Sequence, residues 1–151
     1  MNNFKIILLV EDSPKDVELT LEAFSEINLA NQVVVANDGA EAMEFLKCEG
    51  KYTLRDKENP AVILLDVKMP RMDGIEVLEA VRNDPELKLI PVVMLTSSRE
   101  EPDLNRCYEL GVNAYVVKPV DFKKFVDAVK QIGIFWALIN ELPLGEKLKR
   151  T

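Results

Sequence analysis

The stretch VILLDVKMPRMDG, Val62 to Gly74, decides the fold. An apolar run leads directly into Asp66, and the Met-Pro and Asp-Gly pairs after it predict a turn followed by a new helix. An uninterrupted apolar run is typical of a strand that is buried on both faces. A strand that serves packing alone gains nothing from a carboxylate at its end, so Asp66 is a candidate functional residue.

Four further apolar runs flank this one and alternate with helix-like stretches. The predicted strands are β1 (5–10), β2 (32–36), β3 (61–66), β4 (91–96) and β5 (113–118), and the predicted helices are α1 (from 14), α2 (from about 40), α3 (from 73), α4 (near 103–110) and α5 (from 121). Strands buried on both faces that alternate with helices predict an α/β doubly wound parallel sheet, a three-layer (βα)5 sandwich.

Local signals mark several helix ends. Ser13-Pro14 predicts an N-cap followed by proline at the first helical position, and Asp73 with Glu76 predicts a capping box. Gly111 is expected to end α4 in a left-handed conformation. The charged loop 48–60 is longer than a tight connection requires, so we expect an exposed excursion.

Composition removes several classes of function. The 151 residues carry a net charge of −7, which disfavours binding to nucleic acid or to anionic membranes, and no apolar run has membrane-spanning length. Cys48 and Cys107 show no metal or redox spacing and are expected to be reduced thiols in the cytoplasm. The chain contains no histidine, which excludes Ser-His-Asp catalysis and histidine-ligated zinc.

Polar side chains follow the predicted strands at their carboxyl ends, where open parallel sheets bind ligands. Glu11-Asp12 follows β1, Asp66 ends β3, Thr96 ends β4 and Lys118 ends β5. Clustered carboxylates repel one another unless a cation lies among them, and an oxygen-only set favours a hard ion such as Mg²⁺. Each residue alone would also fit a cap or a turn, but the four positions together predict a site.

The same set of groups fits phosphoryl transfer. Mg²⁺, the Lys118 ammonium group and the Thr96 hydroxyl would neutralise phosphoryl oxygens, and Asp66 would attack as the nucleophile to give an acyl phosphate. Two other classes remain open. One is a Mg²⁺-dependent phosphatase with an aspartyl-phosphate intermediate, although Lys68 stands where such enzymes carry a second aspartate. The other is an interaction module that never meets phosphate.

In these motifs, over residues 5–130, the chain resembles the receiver domain of two-component response regulators: Glu11-Asp12, LLDVKMPRMDG, Thr96 in MLTSS, and YVVKP occur in family order. The resemblance implies a flavodoxin-like sheet of order 2-1-3-4-5. It implies Mg²⁺, replaceable by Mn²⁺ or Ca²⁺, on Asp12, Asp66 and the Lys68 carbonyl with help from Glu11. It also implies a cis bond between Lys118 and Pro119.

The resemblance further implies a conformational switch and residues that set the rate of dephosphorylation. Tyr115 would change rotamer as Thr96 moves toward the phosphoryl group, while Lys68 and Ser98 would flank the path of attacking water and tune dephosphorylation.

A closer resemblance is to stand-alone regulators that partner cyanobacterial phytochromes. It implies a phytochrome-type sensor histidine kinase as donor and a homodimer through the α4-β5-α5 face. Residues 1–138 would form a single receiver domain and 139–151 a tail, with no output domain, and Phe135 and Trp136 would be candidate interface residues.

Overall fold

The computed structural model describes residues 6–26, 32–97, 101–117, 127, 130 and 131. Five strands form one parallel sheet in the order β2-β1-β3-β4-β5, which confirms the predicted order. The strands are β1 Ile7–Val10, β2 Val33–Ala36, β3 Val62–Leu65, β4 Val92–Thr96 and β5 Ala114–Val117.

The helices lie on both faces of the sheet. They are α1 Pro14–Ser25, α2 Gly39–Lys47, α3 Gly74–Arg82 and α4 Glu101–Glu109, with a short 3₁₀ helix at Gly50–Tyr52. Of the predicted α5, the structure describes Asp127, Lys130 and Gln131, which are helical. No helix in these described parts of the chain has the length and apolar character that a bilayer span requires.

Alternate residues of the strands feed two separate cores. Leu8, Ile63 and Met94 point to the face covered by α2, α3 and α4, whereas Leu9 and Leu64 point to the face covered by α1. Because β1 and β3 are paired on both edges and covered on both faces, every residue of each is buried, as the unbroken apolar runs predict.

The predicted helix ends are confirmed. The Ser13 hydroxyl accepts a hydrogen bond from the Asp16 amide with Pro14 at the first turn, and Asp73 and Glu76 form a reciprocal capping box. Gly111, just beyond α4, has a φ of 84°, in the left-handed region where glycine carries no steric cost.

The loop 48–60 is largely exposed, as predicted, but it is also anchored. The Arg55 guanidinium lies 3.9 Å from the centre of the Phe45 ring and its Nε donates to the Phe45 carbonyl oxygen at 2.9 Å. The Tyr52 hydroxyl donates to the Glu41 carboxylate at 2.7 Å. Phe45 lies toward the end of α2 and Glu41 in its first turn, so these contacts fix the loop along the length of α2.

Candidate functional site

The strand register sets the ends of β1 and β3 level with each other. Val10 pairs with Leu65, so Glu11 and Asp66 leave the sheet side by side. The Asp66 amide donates to the Val10 carbonyl oxygen at 3.2 Å, and the Glu11 amide donates to the Ala36 carbonyl oxygen at 3.0 Å. The first residue after each of these two strands is therefore still hydrogen-bonded to the adjacent strand.

Three carboxylates meet at this edge. One oxygen each of Glu11, Asp12 and Asp66 lies within 4.8 Å of the others. Glu11 and Asp66 are buried, at 3% and 7% exposure, while Asp12 is exposed. Two buried carboxylates and one open to solvent provide an all-oxygen cluster that a hard cation can reach from one side.

The loop between β1 and α1 orients Glu11. The Ser13 amide donates to Glu11 Oε2 at 3.1 Å, while the Ser13 hydroxyl caps α1. A single residue thus joins the helix end to the buried carboxylate, and the conformation of this short loop is fixed from both sides.

Asp66 rests against Gly74, the first residue of α3. A Cβ atom at position 74 would lie 2.0 Å from the Asp66 carbonyl oxygen, so only glycine allows this approach. The Gly74 amide also donates to the Val67 carbonyl oxygen at 2.9 Å. The backbone behind Asp66 is therefore held by direct contact with the start of a helix.

The loop from β3 to α3 is also clamped to the start of α2. Arg71 has a φ of 67°, unusual for a residue with a side chain, and its Nε and Nη2 donate to Asp38 at 2.7 and 2.9 Å. This bidentate contact lowers the pKa of Asp38, whose carboxylate also caps α2 by accepting from the Glu41 amide.

Lys68 connects the same loop to α4. Its amide lies 3.4 Å from Asp66 Oδ1, and its Nζ lies 3.5 Å from Asp103 Oδ2 in the first turn of α4. The side chain of the residue two positions after Asp66 is therefore directed to a neighbouring helix. The ligation of a metal by its carbonyl oxygen stays a prediction.

The remaining predicted residues are only partly described. Thr96 is the last residue of β4, paired with Val117, and its side chain lies outside the described residues. Tyr115 is half-buried on β5, on the sheet face that packs against α4. Outside the described residues lie Ser98, Lys118 and Pro119 with their predicted cis bond, and Phe135 and Trp136.

Sequence reasoning missed three supports of the site: the approach of Gly74 to Asp66, the Asp38–Arg71 pair and the Asp103 partner of Lys68. For Gly74 the sequence does carry a signal, since Asp73-Gly74 ends the stretch VILLDVKMPRMDG, but an Asp-Gly pair by itself predicts only a helix start. The two ion pairs join residues far apart in the chain, and no spacing rule identifies such partners.

Comparison with known proteins decides the family. The family model described as the response regulator receiver domain matches residues 7–130. This chain belongs to the response regulator receiver family. Members of that family are phosphoacceptor signalling proteins that partner histidine kinases, and the cluster of Glu11, Asp12 and Asp66 fits the divalent-cation site of receiver domains.

Several individual receivers are similar to this chain over most of their length. Response regulator Rcp1 of Synechocystis is 40% identical over 92% of this chain and 93% of its own. The structure of its Mn²⁺-bound form has a TM-score of 0.81 and 41% identity, covering 88% of this chain and 94% of that one.

Two solved phytochrome regulators are also similar. The phosphorylated cyanobacterial phytochrome response regulator RcpA has a TM-score of 0.82 and 41% identity, covering 89% of this chain and 94% of that one. The bacteriophytochrome response regulator RtBRR has a TM-score of 0.75 and 57% identity, covering 95% and 86%. The protein is thus a receiver related to phytochrome response regulators.

Proposed function

We propose that this receiver accepts a phosphoryl group on Asp66 from a partner histidine kinase and signals through the change in conformation that follows. The observation that carries the proposal is the meeting of Glu11, Asp12 and Asp66 within 4.8 Å at the carboxyl edge of the sheet. Asp66 is the member of this cluster whose backbone is fixed on both sides, by Val10 and by Gly74.

A divalent cation fits the donor set, because the three side chains offer only oxygen atoms and two of them are buried. Asp12, Asp66 and the Lys68 carbonyl would hold Mg²⁺, with Glu11 assisting, and Mn²⁺ or Ca²⁺ would substitute. When bound, the ion supplies positive charge that neutralises the phosphoryl oxygens during transfer.

The transfer itself is a displacement at phosphorus. A carboxylate oxygen of Asp66 attacks the phosphorus of a phosphohistidine, the new P–O bond forms and the P–N bond breaks. The electron pair remains on the imidazole nitrogen, which then takes up a proton. This chain contains no histidine, so the donor imidazole belongs to the partner.

The remaining roles follow from the same family membership. Lys118 and Thr96 would contact the phosphoryl oxygens, and a cis bond between Lys118 and Pro119 would direct the lysine side chain toward them. Tyr115 would change rotamer as the switch. Ser98, with Lys68, would limit the access of water to the acyl phosphate, whose slow hydrolysis the receiver would catalyse itself. The half-buried position of Tyr115 on the α4 side of β5 supports its part in this scheme.

The proposed donor is a phytochrome-type sensor kinase in the cytoplasm. The support is the 57% identity to a bacteriophytochrome response regulator and the 41% identity to RcpA. Residues 1–138 would act as one stand-alone receiver, dimerising through the α4-β5-α5 face, with Phe135 and Trp136 as candidate contacts. A net charge of −7 supports a protein partner over nucleic acid.

Substitution of the acceptor tests the proposal. Asp66→Asn should abolish acid-labile, Mg²⁺-dependent labelling by acetyl [³²P]phosphate, because an amide cannot form the acyl phosphate. Asp56→Asn, an exposed position in the loop 48–60, is the matched control and should label like the wild type. Equal labelling of the Asp66→Asn variant would remove Asp66 as acceptor, and steady phosphate release from many monoesters would indicate a phosphatase instead.

A further inference from the structure

The Lys68 side chain joins the acceptor loop to α4. Lys68 follows Asp66 by two positions, and its amide contacts the Asp66 carboxylate at 3.4 Å. Its Nζ, however, lies 3.5 Å from Asp103 Oδ2 in the first turn of α4. One residue thus touches the proposed phosphorylation site with its backbone and a different helix with its side chain.

The Lys68–Asp103 ion pair is weak enough to be broken by a competing charge. The Lys68 side chain is 62% exposed, so water and salt screen its attraction to Asp103. The Asp103 side chain is 16% exposed and stands at a helix N-terminus, where the helix dipole favours a negative charge. Asp103 therefore has support of its own, and Lys68 acts as a removable link between the loop and α4.

A phosphoryl group on Asp66 would compete for Lys68. Such a group brings about −1.5 to −2 of charge and three acceptor oxygens, against the single charge of Asp103. It would form on the carboxylate that the Lys68 amide already contacts. The backbone of Lys68 could therefore stay in place, and only its flexible side chain would have to rotate to bring the ammonium group to the phosphoryl group.

We propose that Lys68 exchanges partners: it holds α4 through Asp103 while Asp66 is unphosphorylated, and it binds a phosphoryl oxygen once Asp66 is phosphorylated, which releases the first turn of α4. This inference rests on the proposed phosphorylation of Asp66. It makes Lys68 both a ligand of the phosphoryl group and the connection through which α4 senses it.

The charges around Asp103 reinforce the release. Glu101 stands in the same first turn, and burial together with the nearby carboxylates of Asp103 and Asp73 raises the pKa of the Cys107 thiol on the inner side of α4 to about 11. With Lys68 withdrawn, Asp103 loses its cation while the single negative charge of the Asp66 side chain increases to about −1.5 to −2, and repulsion between like charges favours movement of the helix end away from the site.

Hydrogen exchange on phosphorylated and unphosphorylated protein tests the exchange of partners. The informative amides are those of Asn105, Arg106 and Cys107, which bond to carbonyls of the first turn in an α-helix. In the wild type, phosphorylation should speed their exchange about two- to fivefold, the range over which a surface ion pair shifts an equilibrium.

Two variants separate the halves of the proposal. Asp103→Asn should show the faster exchange before phosphorylation, no further rise after it, and an acyl phosphate that lives at least as long as in the wild type. Lys68→Met keeps the backbone carbonyl, should show the same fast exchange, and should lose phosphate faster because one phosphoryl contact is gone.

Glu79→Gln is the matched control, since it removes a different ion pair of α4, Arg106–Glu79, also at 3.5 Å. It should keep the rise in exchange on phosphorylation. A response of Asp103→Asn identical to the wild type, or an unchanged phosphate lifetime in Lys68→Met, would overturn the exchange of partners while leaving labelling intact. A wild type that takes no label would overturn the proposed function itself.

Discussion

Gly74, the first residue of α3, lies in direct contact with the backbone of Asp66. The space that a methyl group would need at this position is occupied by the Asp66 carbonyl, 2.0 Å from the Cβ position. The obstacle is backbone rather than the end of a flexible side chain, so α3 or the end of β3 must shift if the methyl group is added.

We therefore expect Gly74→Ala to destabilise the protein by about 3 kcal/mol or more, the upper range for overpacking, and to weaken Mg²⁺ binding. Urea unfolding and titration with Mn²⁺, followed by electron paramagnetic resonance, measure the two effects.

Gly111→Ala is the control for that experiment. It imposes strain at a φ of 84° and meets only the Arg82 side chain, 3.3 Å away, near the end of α4 remote from the acidic cluster. It should cost about 1 kcal/mol of stability and leave Mn²⁺ affinity unchanged. Normal Mn²⁺ binding by Gly74→Ala would show that the helix contact does not position Asp66.

The contacts of some single residues can be predicted from the sequence, and those of others cannot. Glu11, Asp12 and Asp66 could be predicted to meet because each follows an apolar strand and parallel strands end at one edge. Asp103 could not be predicted as the partner of Lys68, because the contact depends on where α4 sits over the sheet and on one rotamer of a long side chain.

Asp38 acts between two elements, since it caps α2 and receives the two hydrogen bonds of Arg71 from the β3–α3 loop. Close by, a Cβ atom at Gly39 would lie 2.1 Å from the Met72 carbonyl oxygen, so the same loop also touches the first turn of α2. The β3–α3 loop is thereby fixed to α2 on one side and to α4 on the other.

The pair gives the protein a defined response to acid. Arg71 lowers the pKa of Asp38 below the ordinary 3.8, so the stabilisation is fully present above pH 3.8 and is lost as the pH falls through the lower, folded-state pKa. Asp38→Asn keeps a capping side chain but loses the charge, so its free energy of unfolding should lie below that of the wild type at neutral pH. The two values should converge in strong acid.

Asp38→Ala completes the series, because it also loses the cap and should cost about 1 kcal/mol more than Asp38→Asn at every pH. Urea unfolding across a pH series measures all three proteins. A difference between the wild type and Asp38→Asn that does not shrink in acid would mean that the Asp38–Arg71 pair is not its source.

Elements were predicted best where their signals are local. Ser13 before Pro14, and Asp73 three positions before Glu76, identify helix starts because a cap acts within one turn. For the loop 48–60, length and charge predict only an exposed excursion. Its anchors depend on Arg55 meeting Phe45 across the end of α2, a tertiary contact that local pattern does not encode.

In the whole molecule, the acidic cluster lies at the carboxyl ends of the strands, while the longest described connection, 48–60, leaves the end of α2 and enters the start of β3. The strand order followed from the family resemblance, while the parallel sheet itself followed from the unbroken apolar runs. Because the acidic cluster draws on both β1 and β3, an ion bound there would join two segments that are distant in the chain.

A bound cation should therefore stabilise the entire fold. At a Mg²⁺ concentration one hundred times its dissociation constant, the free energy of unfolding should rise by about 2.7 kcal/mol if the unfolded chain does not bind the ion. Calorimetry with increasing MgCl₂, against NaCl of equal ionic strength, measures the rise. Asp12→Asn should reduce it strongly, and an equal rise in that variant would place the ion elsewhere.

The anchored loop has a practical consequence for following this protein in solution. Leu54 is 99% exposed, yet its neighbour Arg55 is bonded to the end of α2. A dye or spin label attached at position 54 would be carried by an anchored loop and would lie outside the core. It would report tumbling and assembly of the receiver without entering the chemistry that it is meant to observe.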